Sequence, residues 1–482
     1  MSSIGSIAVT ALLVIPATTA LWLALLFRYP LGARLNVGAA LLSLLAAVTL
    51  VKARPEPTLY LLVDALNVYL LILSNLVSFT TSVFSAHYIA HERAIGRLTP
   101  GSLRVYHALY QGLLFALNLA LLANNIGLLW VAIELATLTI VLMVGLYRTP
   151  AALEAAWKYF ILGSVGIALA LFGTILFYLA AQPVVGAGLP AMAWHLLLAK
   201  ANAFDPALLN LAFVFVLLGY GTKVGLVPLH AWLPDAHAEG PTPISAVLSG
   251  LLLNVALYAV LRFKMLMSAN PAALAPGPLL VGLGLVSVLF AALMLYSRRD
   301  LKRLFAYSSI EHMGIITFAF GLGGPLATFA GLLHMALHSL TKSGIFFTVG
   351  QITQAKGSQR IGQIQGLTET QPWLGWSLVL GVIAIAGMPP MGLFLSEFLL
   401  VSSTVSREPL LALALVAGLL LAFGALLRHL QGLAFGEPQG STTPVPASYL
   451  PLCVHLALVL LAGIWLPAPL VAGFHQVAAL LG

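Results

Sequence analysis

Lys223 stands in "GTKVGLVPLHAWLPDAH" (residues 221–237), about fifteen residues into an apolar run that includes "LLNLAFVFVLLGY". An ionisable side chain in the middle of a bilayer costs about 2.5–3.5 kcal/mol on insertion scales, so its presence needs a reason. Gly225 and Pro228 follow at once and predict a helix break, and broken backbone at that depth is tolerated where it lines a wet cavity. A lysine whose carboxylate partner moves closer and further away tightens and loosens its hold on a proton. The candidate partner is Glu134 in "NNIGLLWVAIELATL", the only acid of its apolar run. A second acid, Glu397 in "AGMPPMGLFLSEF", follows a second break marked by Gly387, Pro389, Pro390 and Gly392.

Between them lies "LLHMALHSLTKSG", in which His334, His338 and Lys342 recur every fourth residue and share one helix face. Two histidines one turn apart are a common metal pair, but no cysteine or acid lies beside them in the sequence, so no metal site is expected. The reading preferred is a polar stripe that carries water and protons, which His312 in "YSSIEHMG" extends. His230 and Asn254 are further relay candidates near the first break. Lys158 is four residues after Glu154, and a surface ion pair and an internal role are equally open for it. Glu134, Lys223, His338, Lys342 and Glu397 thus form the expected proton axis.

The elements that must hold this axis are membrane helices. The 482 residues are 61% hydrophobic and 7% charged, with a mean hydropathy of +1.03, which excludes a water-soluble globule. A span needs roughly 20 apolar residues, and about fourteen such stretches are found, near 4–27, 35–51, 59–85, 105–123, 126–147, 157–180, 207–232, 242–266, 278–297, 302–322, 326–352, 374–403, 409–434 and 449–476. The first lacks a basic leader region and a cleavage site and reads as a retained helix. No polar domain interrupts them, so one membrane domain over residues 1–482 is expected. The two breaks lie five spans apart, an odd number, which is the pattern of inverted-topology repeats. The units are then residues 105–266 and 278–435, with peripheral helices in 1–85 and 449–476.

Basic residues mark the cytoplasmic loops. Odd loops carry Arg28, Arg34, Arg93, Arg97, Arg104, Arg148, Arg298, Arg299, Lys302, Arg303, Lys356, Arg360 and Arg428, and even loops only Lys52, Arg54, Lys200, Arg262, Lys264 and Arg407. Both termini are therefore expected outside, and the net charge of +8 reports topology, not nucleic-acid binding. One cysteine, Cys453, cannot hold an iron–sulfur cluster or a structural zinc, and there is no GxxxxGK[ST] or GxGxxG nucleotide motif. No cofactor is expected in this chain, so redox or nucleotide chemistry must come from a partner.

The stretches quoted above, with "EAAWKYFILGSVG", "HAWLPDAHAEGPTPISAVLSGLLLN", "RRDLKRLFAYSSIEHMG" and "HSLTKSGIFF", resemble the antiporter-like membrane subunits of respiratory complex I, membrane-bound NiFe hydrogenases and multisubunit sodium/proton antiporters. The similarity covers roughly residues 60–435 and is nearest the hydrogenase-4 branch, of the formate hydrogenlyase type. It implies an all-α polytopic fold of fourteen helices with two inverted five-helix repeats and broken seventh and twelfth helices. It also implies that Glu134 pairs with Lys223, that a lysine or histidine of the following helices relays protons, and that Glu397 opens to the outside. Asn254 stands where the complex I relative has a lysine, which favours the hydrogenase branch. The long lateral helix of the largest family members is not expected here.

The expected function is a proton-translocating, or sodium-handling, subunit of a complex I-like oxidoreductase in a prokaryotic inner membrane, with a group 4 membrane-bound NiFe hydrogenase as the leading assignment. The expected partners are other antiporter-like and small membrane subunits, and hydrophilic subunits carrying iron–sulfur clusters and a NiFe centre. The alternatives are a proton-pumping subunit of an NADH-quinone oxidoreductase, a non-pumping membrane scaffold, and a standalone transporter of a small solute.

Overall fold

The computed structural model describes residues 2–26, 29–440, 443 and 448–481, and Arg28 of the loop-charge count lies outside them. The described residues are helical almost throughout. The first group of helices is α1 (Ser2–Leu25), α2 (Tyr29–Thr49), α3 (Ala65–Ala94), α4 (Pro100–Leu122), α5 (Ile126–Val144) and α6 (Pro150–Val185). A short α7 (Trp194–Lys200) leads to α8 (Pro206–Val224), α9 (Leu233–Glu239), α10 (Thr242–Val247) and α11 (Leu253–Ser268). Then come α12 (Gly277–Leu295), α13 (Leu301–Leu322), α14 (Gly324–Lys356), the single turn α15 (Leu367–Thr370), α16 (Pro372–Ile385), α17 (Gly392–Arg407) and α18 (Pro409–Phe435). The chain closes with α19 (Leu450–Ile464) and α20 (Ala468–Leu481).

Helix starts follow local chemistry. Thr99, Thr149 and Asp205 each cap a helix whose first residue is proline, the position where the missing N–H costs nothing. Asp64 and Asn67 form a reciprocal capping box on α3. Among the described residues ten helices are long and apolar enough to cross a membrane, or eleven if α19 and α20 are one bent span. The protein is a multi-pass membrane protein. α13 and α14 fall outside that set because they are polar, and nearly all of their polar side chains are buried inside the bundle. The last expected span, 449–476, is not one helix: it turns by 81° between α19 and α20, where Trp465 and Pro467 interrupt the apolar run.

Both expected breaks are present as gaps between helices. α8 stops at Val224, and Gly225 adopts φ +81°, where a side chain would be strained. Trp232 Nε1 donates to the Thr222 carbonyl at 2.8 Å, and Val227 N donates to Ser287 Oγ at 2.9 Å, so these two backbone groups at the break are satisfied. Pro228 lies within this break. α16 stops at Ile385, Gly387 takes φ +63°, and Pro389 and Pro390 occupy the gap before α17 starts at Gly392. A π-helical turn at Leu248–Leu252 joins α10 to α11, a feature often found at functional positions.

α6 and α8 touch along small residues, the usual way for membrane helices to approach closely. A Cβ on Gly219 would overlap Ala170 N and lie 2.6 Å from Gly166 O, both backbone atoms that cannot swing aside. Gly219→Ala is therefore expected to destabilise the fold by about 1–3 kcal/mol, the usual cost of overpacking, seen as a lower thermal midpoint in detergent.

Candidate functional site

A row of buried ionisable and polar side chains runs through the bundle. Lys223, in the last turn of α8, is fully buried; its Nζ has no hydrogen-bond partner and sits 5.1 Å above the Tyr159 ring. A side chain on Gly163 of α6 would lie 2.5 Å from that nitrogen, so the missing Cβ makes its room. Glu134 of α5 is half-buried, within electrostatic reach of Lys223. The two do not form an ion pair, and Glu134 Oε2 has no hydrogen-bond partner, so this pair stands open. Asn254 of α11 donates to Ser339 Oγ of α14 at 2.6 Å, and Ser249 of the π-turn shares a 2.7 Å hydrogen bond with Ser309 of α13. The region after the first break is thereby tied to the two polar helices of the second half.

On α14, His334, His338 and Lys342 are all buried. Lys342 Nζ donates to Phe305 O at 3.0 Å. His338 has no hydrogen-bond partner on either ring nitrogen and stacks on His312 with centroids 5.5 Å apart. His312 Nδ1 and His334 Nε2 share a hydrogen bond of 2.8 Å, and His334 Nδ1 lies 2.9 Å from Ser396 Oγ. Ser396 precedes Glu397 on α17, and the Glu397 carboxylate fills the space a Gly387 side chain would occupy, at the heart of the second break. The order in space is therefore Lys342, His338, His312, His334, Glu397. His312 and His334, secondary candidates in the sequence, are links of this chain.

The expectation that no acid stands beside the α14 histidines is corrected. The fold brings Glu397 to His312 and His334, and ligand-type atoms of the three lie within 4.8 Å of one another. Two imidazoles and a carboxylate are a donor set that suits zinc. The 2.8 Å bond between the imidazoles and the bond to Ser396 also make the same atoms a continuous hydrogen-bonded relay.

Lys158 is elsewhere. It is about half exposed and pairs with Glu154 at 2.7 Å and with Asp235 of α9 at 3.0 Å, while Arg303 of α13 binds the other oxygen of Asp235 at 3.0 Å. Its place is a surface network, apart from the buried row. His230 lies in the first break, nearly buried, edge-on to Phe290 with centroids 5.0 Å apart. Two buried groups were not singled out in the sequence. His237 stacks on Phe346 at 4.8 Å and neither of its ring nitrogens has a partner. Glu311, one residue before His312, is 3% exposed with Oε2 unpartnered. The signal for both was position: each is a titratable residue inside a stretch already chosen for another reason.

This bundle, with polar helices sealed inside an apolar shell and two broken helices beside them, has the architecture of an antiporter-like membrane subunit. Residues 123–422 match the family NADH:quinone oxidoreductase/Mrp antiporter, TM, and the chain belongs to that family. It is 59% identical over 471 residues to the hydrogenase-4 component F homolog of Methylacidiphilum infernorum (isolate V4), covering 98% of this chain and 99% of that one. A chain of the membrane-bound sulfane sulfur reductase, an archaeal respiratory membrane complex, superposes with a TM-score of 0.86 at 23% identity, covering 98% of this chain and 97% of that one. A chain of respiratory complex I from Thermus thermophilus gives 0.82 at 24% identity, covering 98% and 100%. At these identities the two structures establish the shared fold.

Proposed function

We propose that this chain is a proton-translocating subunit of a redox-driven membrane complex, a group 4 membrane-bound NiFe hydrogenase. The observation that carries the reading is the row from Glu134 and Lys223 through Lys342, His338, His312 and His334 to Glu397. Ionisable groups at membrane depth are expensive and are kept for ion pathways. The hydrogenase assignment is supported by full-length likeness to a hydrogenase-4 component F homolog. Neighbouring subunits supply the iron–sulfur clusters and the NiFe centre, and other antiporter-like and small membrane subunits complete the assembly in a prokaryotic inner membrane.

In this reading the chain has fourteen spans in one membrane domain, with both termini outside. Residues 105–266 and 278–435 are inverted repeats, supported by the same order of three long helices, a helix with a positive-φ glycine at its break, and a closing long helix. Protons enter from the cytoplasm beside the first break. Closing the Glu134–Lys223 pair holds the lysine charged; opening it weakens that hold and passes the proton toward Lys342 and the histidines. Glu397 releases it on the far side.

The test is proton uptake by the whole purified complex in sealed proteoliposomes during redox turnover. Uptake that a protonophore abolishes and a sodium ionophore spares identifies the ion as the proton. Normal uptake in variants lacking Lys223 and Glu397 would make the chain a membrane scaffold. A finer probe is Gly163→Ala. Its new methyl crowds only the flexible end of Lys223 and makes an ordinary 3.5 Å contact with Thr137, so the thermal midpoint is expected to stay near wild type while proton uptake per electron falls several-fold.

A further inference from the structure

We propose that the cavity where α1, α2, α3 and α4 meet binds an anionic phospholipid, its phosphate held by Arg34, Arg93 and Arg104 and its ester groups by His107. The site stands apart from the proton row and does not depend on the translocation reading. The cavity is about 510 Å³ and is lined by Tyr29 and Arg34 of α2, Arg93 of α3, Arg104 and His107 of α4, and by leucines and prolines around them. The Arg93 guanidinium lies 6.0 Å from the centroid of the Tyr29 ring, which in turn lies 5.5 Å from the His107 ring. Groups from three helices thus share one wall.

Three arginines line the cavity and, among the described residues, no acid does. Like charges around one hollow attract an anion, and a guanidinium matches phosphate oxygens with paired N–H donors. The ends of α1 and α3 and the starts of α2 and α4 meet here, so their terminal dipoles, opposite in sign, largely offset one another. The positive field therefore comes from the side chains.

The depth is that of a lipid headgroup. All four helices are long and apolar enough to cross a membrane, and each arginine lies within two turns of a helix end, where hydrocarbon gives way to water. His107 is the eighth residue of α4, roughly 10 Å along the helix from its start. It is 3% exposed, and neither of its ring nitrogens has a hydrogen-bond partner. A buried imidazole in that state costs free energy until a partner reaches it. The ester carbonyls of a phospholipid lie deeper than its phosphate and supply an acceptor there. Around Leu23 of the cavity wall, Leu21, Trp22 and Leu25 are 69%, 73% and 76% exposed. They give acyl chains an apolar track and the headgroup an aromatic neighbour, features that a free phosphate ion would not use.

The experiment titrates the whole purified complex, washed in neutral detergent with phosphatidylcholine, with phosphatidylglycerol, reading the thermal midpoint and the lipid retained by mass spectrometry. Wild type is expected to retain phosphatidylglycerol and to gain stability from it. In a variant combining Arg34→Ala and Arg93→Ala, the concentration for half the effect is expected to rise about tenfold or more, because two charges facing the headgroup are gone. Arg34→Lys with Arg93→Lys keeps the charge without the paired donors and is expected to fall between. His107→Leu removes the polar atoms and keeps an apolar side chain; a several-fold loss of retention with an intact complex is expected. An equal response to phosphatidylcholine would make the cavity an apolar groove, and an equal response to inorganic phosphate an anion site without lipid. Loss of a neighbouring subunit from the arginine-to-alanine variant would make it a seat for a partner's acids. Each of these overturns the proposal, as does unchanged phosphatidylglycerol retention in that variant.

Discussion

Lys223→Ala is expected to lower redox-driven proton uptake by about a hundredfold or more, the scale on which a positioned proton-transfer group acts, while assembly and uncoupled redox turnover persist. The lysine is fully buried, with no hydrogen bond to its nitrogen, so its removal breaks no hydrogen-bonded network. The truncation deletes a flexible stem beside Gly163 and Tyr159 and leaves a cavity in a tightly packed region. It also removes a charge whose burial opposes folding. These effects offset each other, so the large change falls on transport. Uptake and redox rate are measured on the same proteoliposomes, and parallel loss of both would assign Lys223 to assembly.

Glu397→Gln is expected to act at the other end of the row, with loss of net transport of similar size. Glutamine has the same shape, so the space over Gly387 stays filled, and the His312–His334 and His334–Ser396 hydrogen bonds do not include the Glu397 carboxylate as a partner. Only the group that accepts and releases the proton is gone. The signature separates it from Lys223→Ala: with pH dyes on both sides, the first turnovers show proton uptake on one side without release on the other. Wild-type release in this variant would remove Glu397 from the exit.

Much of the fold was legible because a membrane leaves a chain few options. Apolar runs of span length and glycine and proline at the two breaks each have a local physical cause, and helices fill most of those runs, although the run 449–476 bends by 81° between α19 and α20. Lys223, Glu134 and Glu397 stood out because charge at that depth is costly. What the sequence concealed were contacts across helices. Glu397 follows His334 by more than sixty residues, so the acid beside the histidines was invisible until α17 packed on α14. Asp235, which draws Lys158 to the surface, is 77 residues from it. Glu311 was passed over because it sits in "AYSSIEHMG", where surrounding polarity hides a single acid. Counting its depth from the helix start would have found it.

The Asp235 network has one more consequence. Asp235 belongs to α9, the short helix beyond the first break, and is gripped by Lys158 from one half of the chain and by Arg303 from the other. It is a mechanical clamp on the segment next to the buried row, made of solvated charges that salt weakens, whereas the sealed groups inside are screened far less. Raising ionic strength on that face is therefore expected to loosen the hold on α9 while leaving the interactions of the sealed row nearly unscreened.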